Sequence, residues 1–136
     1  MAAAGAELLA DADLIVPVPL CRSGLWSRRF NHSAMLAHAV GRHAGVPVDC
    51  FLLGRMRRTP SQVGLTAAQR RRNIAGAFRV TLARAHMRGK RIVVVDDVIT
   101  TGATADACAR ALKRAGAARV DILALARAME PAAFLL

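Results

Sequence analysis

The stretch from Arg91 to Thr104, Arg-Ile-Val-Val-Val-Asp-Asp-Val-Ile-Thr-Thr-Gly-Ala-Thr, limits what this chain can fold into more than any other. Ile92 to Val95 are four consecutive β-branched residues with no polar interruption, the pattern of a short strand buried on both faces. Two adjacent carboxylates, Asp96 and Asp97, end the apolar run. Small and hydroxyl residues follow, then a segment with helical spacing (Ala105, Cys108, Ala109, Leu112) that stops at Gly116, where glycine suits a helix end. The expected order is strand, acidic pair, loop, helix.

Such a loop can cradle an anion. Thr100, Thr101, Gly102, Ala103 and Thr104 place backbone N–H groups and hydroxyls at a helix start, where the helix dipole favours negative charge. Like charge keeps the two aspartates from binding the same phosphate, so they suit the vicinal hydroxyls of a sugar or a metal ion. A sugar phosphate with free hydroxyls satisfies both halves. The plainer alternative is a structural strand–turn–helix of another doubly wound protein, with Asp96 or Asp97 capping the helix.

The string Val93 to Thr104 resembles the phosphoribosyl-pyrophosphate (PRPP) signature of type I phosphoribosyltransferases. The resemblance implies that Asp96 and Asp97 hold the ribose 2- and 3-hydroxyls and that Thr100, Thr101, Gly102, Ala103 and Thr104 grip the 5-phosphate.

The remainder of the chain bounds the class. A length of 136 residues fits one domain spanning 1–136, enough for a sheet with helices on both faces. No apolar run approaches the roughly 20 residues of a membrane span, and Met1 to Ala10 lacks the pattern of a secretory signal. Cys21, Cys50 and Cys108 are isolated, with no CxxC pair, which argues against a zinc ribbon or a disulfide framework and for a reducing, cytoplasmic setting. Cys50 and Cys108 are expected as small core residues.

Charge is the strongest compositional signal: 20 basic residues stand against 9 acidic ones, for a net charge of +11. Between Asp49 and Asp96 no acidic residue occurs, while 11 basic ones do. The partner is therefore anionic, a polyphosphate or a nucleic acid. With no Tyr, one Trp and four Phe, little is available to stack single-stranded bases.

In chain order, 13–20 reads as a strand broken into a rigid loop by Pro17 and Pro19, which places the following Arg22, Arg28 and Arg29 at the carboxyl edge of the sheet, where open α/β sheets bind ligands. Asn31 or Ser33 can cap a helix to about Ala44, ended by Gly45 and Pro47. His32, His38 and His43 lack the spacing and acidic company of a metal site and read as solvated or capping groups. Strands are expected at 46–53, 77–82, 92–97 and 119–125. The segment 54–75, with six arginines, Pro60 and Gly64, reads as a long basic loop able to close over a polyphosphate, or else as a solvated excursion. No Gly-Lys-Ser/Thr or GxGxxG pattern supports a P-loop or dinucleotide site.

Ile15-Val16-Pro17-Val18-Pro19-Leu20, Arg28-Arg29-Phe30-Asn31-His32, Arg57 with Gln62 and Leu65, and Arg70 to Phe78 further resemble the ComF (GntX, amidophosphoribosyltransferase-like) family, from about Asp13 to Arg127. Two features depart from it. The usual amino-terminal four-cysteine zinc ribbon is missing, so the chain is expected to be a short relative or a fragment that begins at the transferase core. Arg29 and His32 stand where the family has Gly and Gln.

The resemblance implies an α/β, type I phosphoribosyltransferase fold, with a mainly parallel sheet of about five strands, helices on both faces and a basic hood. Arg22 and Arg28 would face pyrophosphate, Arg57 and Arg70 would belong to the hood, and Mg²⁺ would arrive with PRPP rather than on protein ligands. Thr100 replaces the Asp that 6-oxopurine transferases carry beside the base, so such purines are unsuitable acceptors. The expected function is phosphoribosyl transfer to an unidentified nucleophile. The alternative is a competence-associated accessory that binds single-stranded DNA or recombination proteins, or senses PRPP without turnover. Pairing into a homodimer stays open.

Overall fold

The computed structural model describes residues 5–19, 31–55, 66, 68–69, 76–81, 87–99 and 102–127. Its elements are α1 (Ala6–Ala10), β1 (Leu14–Pro17), α2 (His32–Ala44), β2 (Leu53–Arg55), β3 (Phe78–Val80), β4 (Arg91–Ile99), α3 (Ala103–Arg114) and β5 (Arg119–Arg127). β4 is the centre. It pairs in parallel with β1 on one side and with β5 on the other. As its unbroken apolar run requires, Ile92, Val93, Val94 and Val95 are all buried, at 1% exposure or less.

Alternation along the strands sorts the core into two layers. Leu14, Val16, Ile92 and Val94 pack with Cys108, Ala111 and Leu112 of α3 and with Leu53 and Phe78. Ile15, Val93, Val95 and Leu123 pack with Ala37 and Val40 of α2 and with Leu9 of α1. Helices thus cover both faces, as parallel sheets demand. Asp13 locks the amino edge of β1 to β4: its Oδ2 accepts from the Arg91 backbone N–H at 2.9 Å and lies 3.6 Å from Arg91 Nε. That backbone hydrogen bond holds the Asp13 carboxyl below its ordinary range.

The five described strands divide into two sheets. β2 and β3 form a separate antiparallel pair, so the parallel sheet has three strands rather than about five. The expected strand 46–53 reduces to one parallel bridge, Ile15 to Val48, before β2 starts at Leu53. Asp49 explains the break. Its Oδ1 accepts from the Phe51 N–H at 2.9 Å, an Asx turn that bends the chain away from the ladder. Cys50 falls in this bend, half-buried, with Sγ 3.2 Å from His38 Nε2, and is not the core residue expected. Cys108 is fully buried, and burial raises its thiol pKa well above the ordinary value.

The helix ends follow their sequence signals. Asn31 caps α2, its Oδ1 accepting from Ala34 N–H at 3.1 Å, and Gly45 ends the helix in the left-handed conformation at φ 73°. The 54–75 loop falls almost wholly outside the described residues.

Candidate sugar-phosphate site

The chain leaves β1 through α2 toward Val48 on one flank, and leaves β4 through α3 toward β5 on the other. Divergent connections of this kind open a crevice at the carboxyl ends of the two strands, the switch point at which doubly wound sheets take ligands. β1 and β4 border it. Asp96 and Asp97 stand at the β4 side. At the β1 side, Asn31 Nδ2 donates to the Val18 carbonyl at 3.3 Å and pins the start of α2 there.

The two carboxylates are held, not loose. Asp96 Oδ1 accepts from the Asp97 backbone N–H at 2.9 Å and from the Ser33 hydroxyl at 3.3 Å. Asp97 Oδ1 accepts from the Val98 N–H at 2.9 Å, and its Oδ2 lies 3.8 Å from His32 Nδ1. In each aspartate Oδ1 is fixed by a backbone N–H, and the two carboxyls also interact with each other. Asp97 is 39% exposed, accessible to a ligand.

Burial, reinforced by the neighbouring Asp97 carboxylate, pushes the Asp96 pKa from 3.8 up to about 6. Between those values the folded chain holds this proton more tightly than the unfolded chain, so stability falls as pH rises through that window. An asparagine retains the acceptor for Ser33 and Asp97 N–H but not the charge. Asp96→Asn is therefore expected to stabilise the protein at pH 8 by about 1 kcal/mol, after allowance for the partial exposure of the carboxyl, and to give no gain at pH 4. Thermal melts at the two pH values check this; an equal effect at both would contradict it.

Of the phosphate-loop residues, Gly102, Ala103 and Thr104 are described, and Thr100 and Thr101 lie outside the described residues. Gly102 opens α3 at φ 82°, left-handed backbone that glycine takes without penalty. A Cβ there would meet no atom within 4 Å, so backbone angle rather than space selects glycine. Among the described residues no side chain caps this helix, and Ala103 is buried beneath it at 4% exposure. Asp106, the acid of the first turn, is engaged by Arg110 at 3.1 Å. Arg22, Arg28, Arg57 and Arg70 lie outside the described residues.

Among the described residues no group of three or more His, Cys, Asp or Glu could hold a metal ion. Two adjacent carboxylates are few ligands, which suits only an Mg²⁺ that arrives with phosphate and water ligands of its own. Sequence reasoning gave Ser33 and His32 only capping or solvated roles. Their contacts to the acidic pair span 63 and 65 residues of chain, and no local pattern signals them.

An open groove of about 420 Å³ between β3 and the last turn of α3, lined in part by Arg79 and Arg114, shares no residue with this edge. No described helix is long and apolar enough to cross a membrane.

A phosphoribosyl transferase domain model matches residues 31–134, and the chain belongs to that family. Its relatives carry the ComF resemblance. It is 33% identical over 116 residues to competence protein F of Haemophilus influenzae, covering 85% of this chain and 51% of that protein. It is 39% identical over 117 residues to the DNA utilization protein YhgH of Escherichia coli, covering 86% of this chain and 50% of that one. The chain spans about half the length of the curated relatives it matches. The crystal structure of a purine phosphoribosyltransferase from Pyrococcus horikoshii aligns with 93% of this chain, over 66% of its own, with a TM-score of 0.57 at 20% identity. That likeness establishes the type I phosphoribosyltransferase fold.

Proposed function

We propose that this chain binds PRPP together with Mg²⁺ and transfers the phosphoribosyl group to a nucleophile, releasing pyrophosphate. The observation that carries the reading is the anchored pair Asp96–Asp97 at the switch-point end of β4, followed by the left-handed glycine that opens α3. In this reading Asp96 and Asp97 accept hydrogen bonds from the ribose 2- and 3-hydroxyls. The start of α3, with Thr100, Thr101, Gly102, Ala103 and Thr104, takes the 5-phosphate.

The bond from the anomeric carbon to pyrophosphate breaks through an oxocarbenium-like state as the nucleophile attacks, and the nucleophile gives up its proton to solvent or to a nearby base. The transition state separates charge. The arginines Arg22, Arg28, Arg57 and Arg70 are suited to the departing pyrophosphate, and Mg²⁺ enters as part of the substrate and neutralises its phosphates. With Thr100 in place of an acidic residue beside the base, 6-oxopurines are not the acceptor.

Titration calorimetry with PRPP and Mg²⁺, followed by a screen of nucleobases and amines for pyrophosphate release, tests the proposal. Saturable binding with release for at least one nucleophile is expected. Binding without release for any of them would make the chain a PRPP sensor, and no heat at millimolar PRPP would remove both.

A nucleic-acid-binding accessory is the second reading with an observation in its favour: Arg79 and Arg114 line the open groove beside α3, and the relatives are named a competence protein and a DNA utilization protein. Backbone-driven binding of this kind must weaken steeply with salt. Titration of a single-stranded oligonucleotide at two salt concentrations decides it: unchanged affinity, or none at low salt, removes the reading.

A further inference from the structure

The amino edge of the parallel sheet carries charge that the sugar-phosphate site does not use. β4 begins there at Arg91 and β5 at Arg119, and α3 ends there at Arg114. Two backbone hydrogen bonds tie this edge together, from Gly89 N–H to the Gly116 carbonyl at 2.8 Å and from Ala118 N–H to the Lys90 carbonyl at 2.9 Å. Arg88 lies against Gly116, its Cγ 2.9 Å from where a Cβ would stand. From the last turn of α3, Arg114 shares with Arg79 of β3 the lining of the open groove of about 420 Å³.

Arg79, Arg114, Arg88 and Lys90 therefore gather on one stretch of surface. The three arginines are exposed and Lys90 is half-buried. Among the described residues none of the four forms an ion pair, because the acids are engaged by other cations: Asp13 by Arg91, Asp106 by Arg110 and Asp121 by Arg119. Lys90 adds only a longer-range pull on Asp13. A helix end favours cations, which accounts for Lys113, whose Nζ donates to the Ala118 carbonyl at 3.1 Å, and in part for Arg114. It does not account for Arg79 or Arg88, which lie outside the helix. Like charges left uncompensated on one face repel one another, and an anion laid across them relieves that cost.

The occupant has to offer negative charges in a row. The groove has the volume of a small-ligand cleft, at the low end of about 300–1,000 Å³, so it admits the units of a single strand and not a duplex. Phe78, the one ring that lines it, is 1% exposed and offers no face for a base to stack on, which leaves the phosphates as the points of contact.

We infer that a single-stranded nucleic acid docks by its phosphates along Arg79, Arg114, Arg88 and Lys90, at the edge of the sheet opposite the acidic pair. The inference rests on the nucleic-acid reading above and gives it a place of its own. Arg91 and Asp97 stand at the two ends of β4, about 20 Å apart along the strand, which is about two Debye lengths at 0.1 M salt. Charge bound at one edge is screened from the other, so a strand at the amino edge leaves the carboxyl edge free for its own ligand.

Anisotropy of a labelled oligothymidine, titrated with the full chain over a salt series, tests the placement. Wild type is expected to lose affinity steeply as salt rises. Arg79→Gln, Arg88→Gln and Arg114→Gln combined should weaken binding more than tenfold at low salt and reduce the slope of log K against log salt by about 2, at about 0.7 for each phosphate contact. Arg79→Gln and Arg114→Gln alone should each reduce it by about 0.7, which carries the test should the triple variant melt early. Arg42→Gln removes an exposed cation from α2, which packs in the other core layer, and should leave the slope as it is. PRPP with Mg²⁺ at matched ionic strength should leave the oligonucleotide affinity unchanged.

An unchanged slope in the arginine variants, with wild type binding, would overturn the placement and leave the nucleic-acid reading standing. An equal loss in Arg42→Gln, cation for cation, would overturn it as well, since the attraction would then be spread over the whole surface. Displacement of the oligonucleotide by PRPP would put both ligands at one edge and contradict the inference. No binding at low salt would remove the nucleic-acid reading and the placement with it.

Discussion

Asp97→Asn is expected to abolish the PRPP-dependent rise in melting temperature while the unliganded protein melts close to wild type. A ligand that binds only the folded state stabilises it in proportion to the logarithm of concentration over Kd, about 2.7 kcal/mol at a hundred times Kd. Asp97 offers that ligand its Oδ2, with Oδ1 held by Val98 N–H. Asparagine keeps the Oδ1 acceptor, so the turn after β4 is retained. It replaces Oδ2, the oxygen nearest His32, by an amide nitrogen that cannot accept from a hydroxyl. The loss of one charged hydrogen-bond partner weakens binding by about a hundredfold, enough to erase the shift at moderate PRPP. A variant that shifts like wild type would refute the assignment of Asp97 to the sugar hydroxyls.

Gly41→Ala is expected to cost about 2 kcal/mol and to lower the melting temperature by about 8 °C. Two effects compete here. Alanine within a helix gains about 1 kcal/mol of propensity over glycine. At this position, however, its Cβ would sit 2.5 Å from Val48 Cγ2 and 2.9 Å from the Val46 carbonyl oxygen. A side-chain methyl can rotate away; a backbone carbonyl cannot, because the adjoining residues bridge to β1 through Ile15 N–H to the Pro47 carbonyl and Asp49 N–H to the Ile15 carbonyl. Overpacking therefore prevails, and α2 is levered off the sheet. Since α2 carries Asn31, His32 and Ser33, PRPP affinity should fall with stability although Gly41 touches no ligand. A melting temperature at or above wild type would mean that the contact relaxes without cost.

Local signals were legible where chemistry is local. The β-branched run predicted β4, the glycines at 45 and 116 marked the helix ends, and Asn31 was one of two foreseen caps; each depends on neighbours within about four residues. Expectation and structure part where a single side chain redirects the backbone. The apolar look of 46–53 concealed the Asx turn at Asp49, which splits the strands into a parallel three and an antiparallel two. Periodicity identifies strands but does not assign them to sheets.

The acidic pair and its glycine were readable as a motif, but their support was not. Ser33 meets Asp96 across 63 residues of chain, and only the fold brings a helix start to a strand end. The glycine at 41 was likewise invisible in sequence, since its need arises from Val46 and Val48 packing across the α2 turn. Arg22, Arg28, Arg57 and Arg70, read from charge and resemblance, lie on residues outside those described.

The most direct test of a sugar phosphate docking at the β4 switch point is amide chemical-shift mapping of isotope-labelled protein during titration with PRPP and Mg²⁺. The account predicts saturable shifts at Asp96, Asp97, Gly102, Ala103 and Thr104, with smaller ones at His32 and Ser33. Shifts confined to Gly76, Arg79 and Arg114 around the groove beside α3, with the end of β4 unmoved, would contradict it.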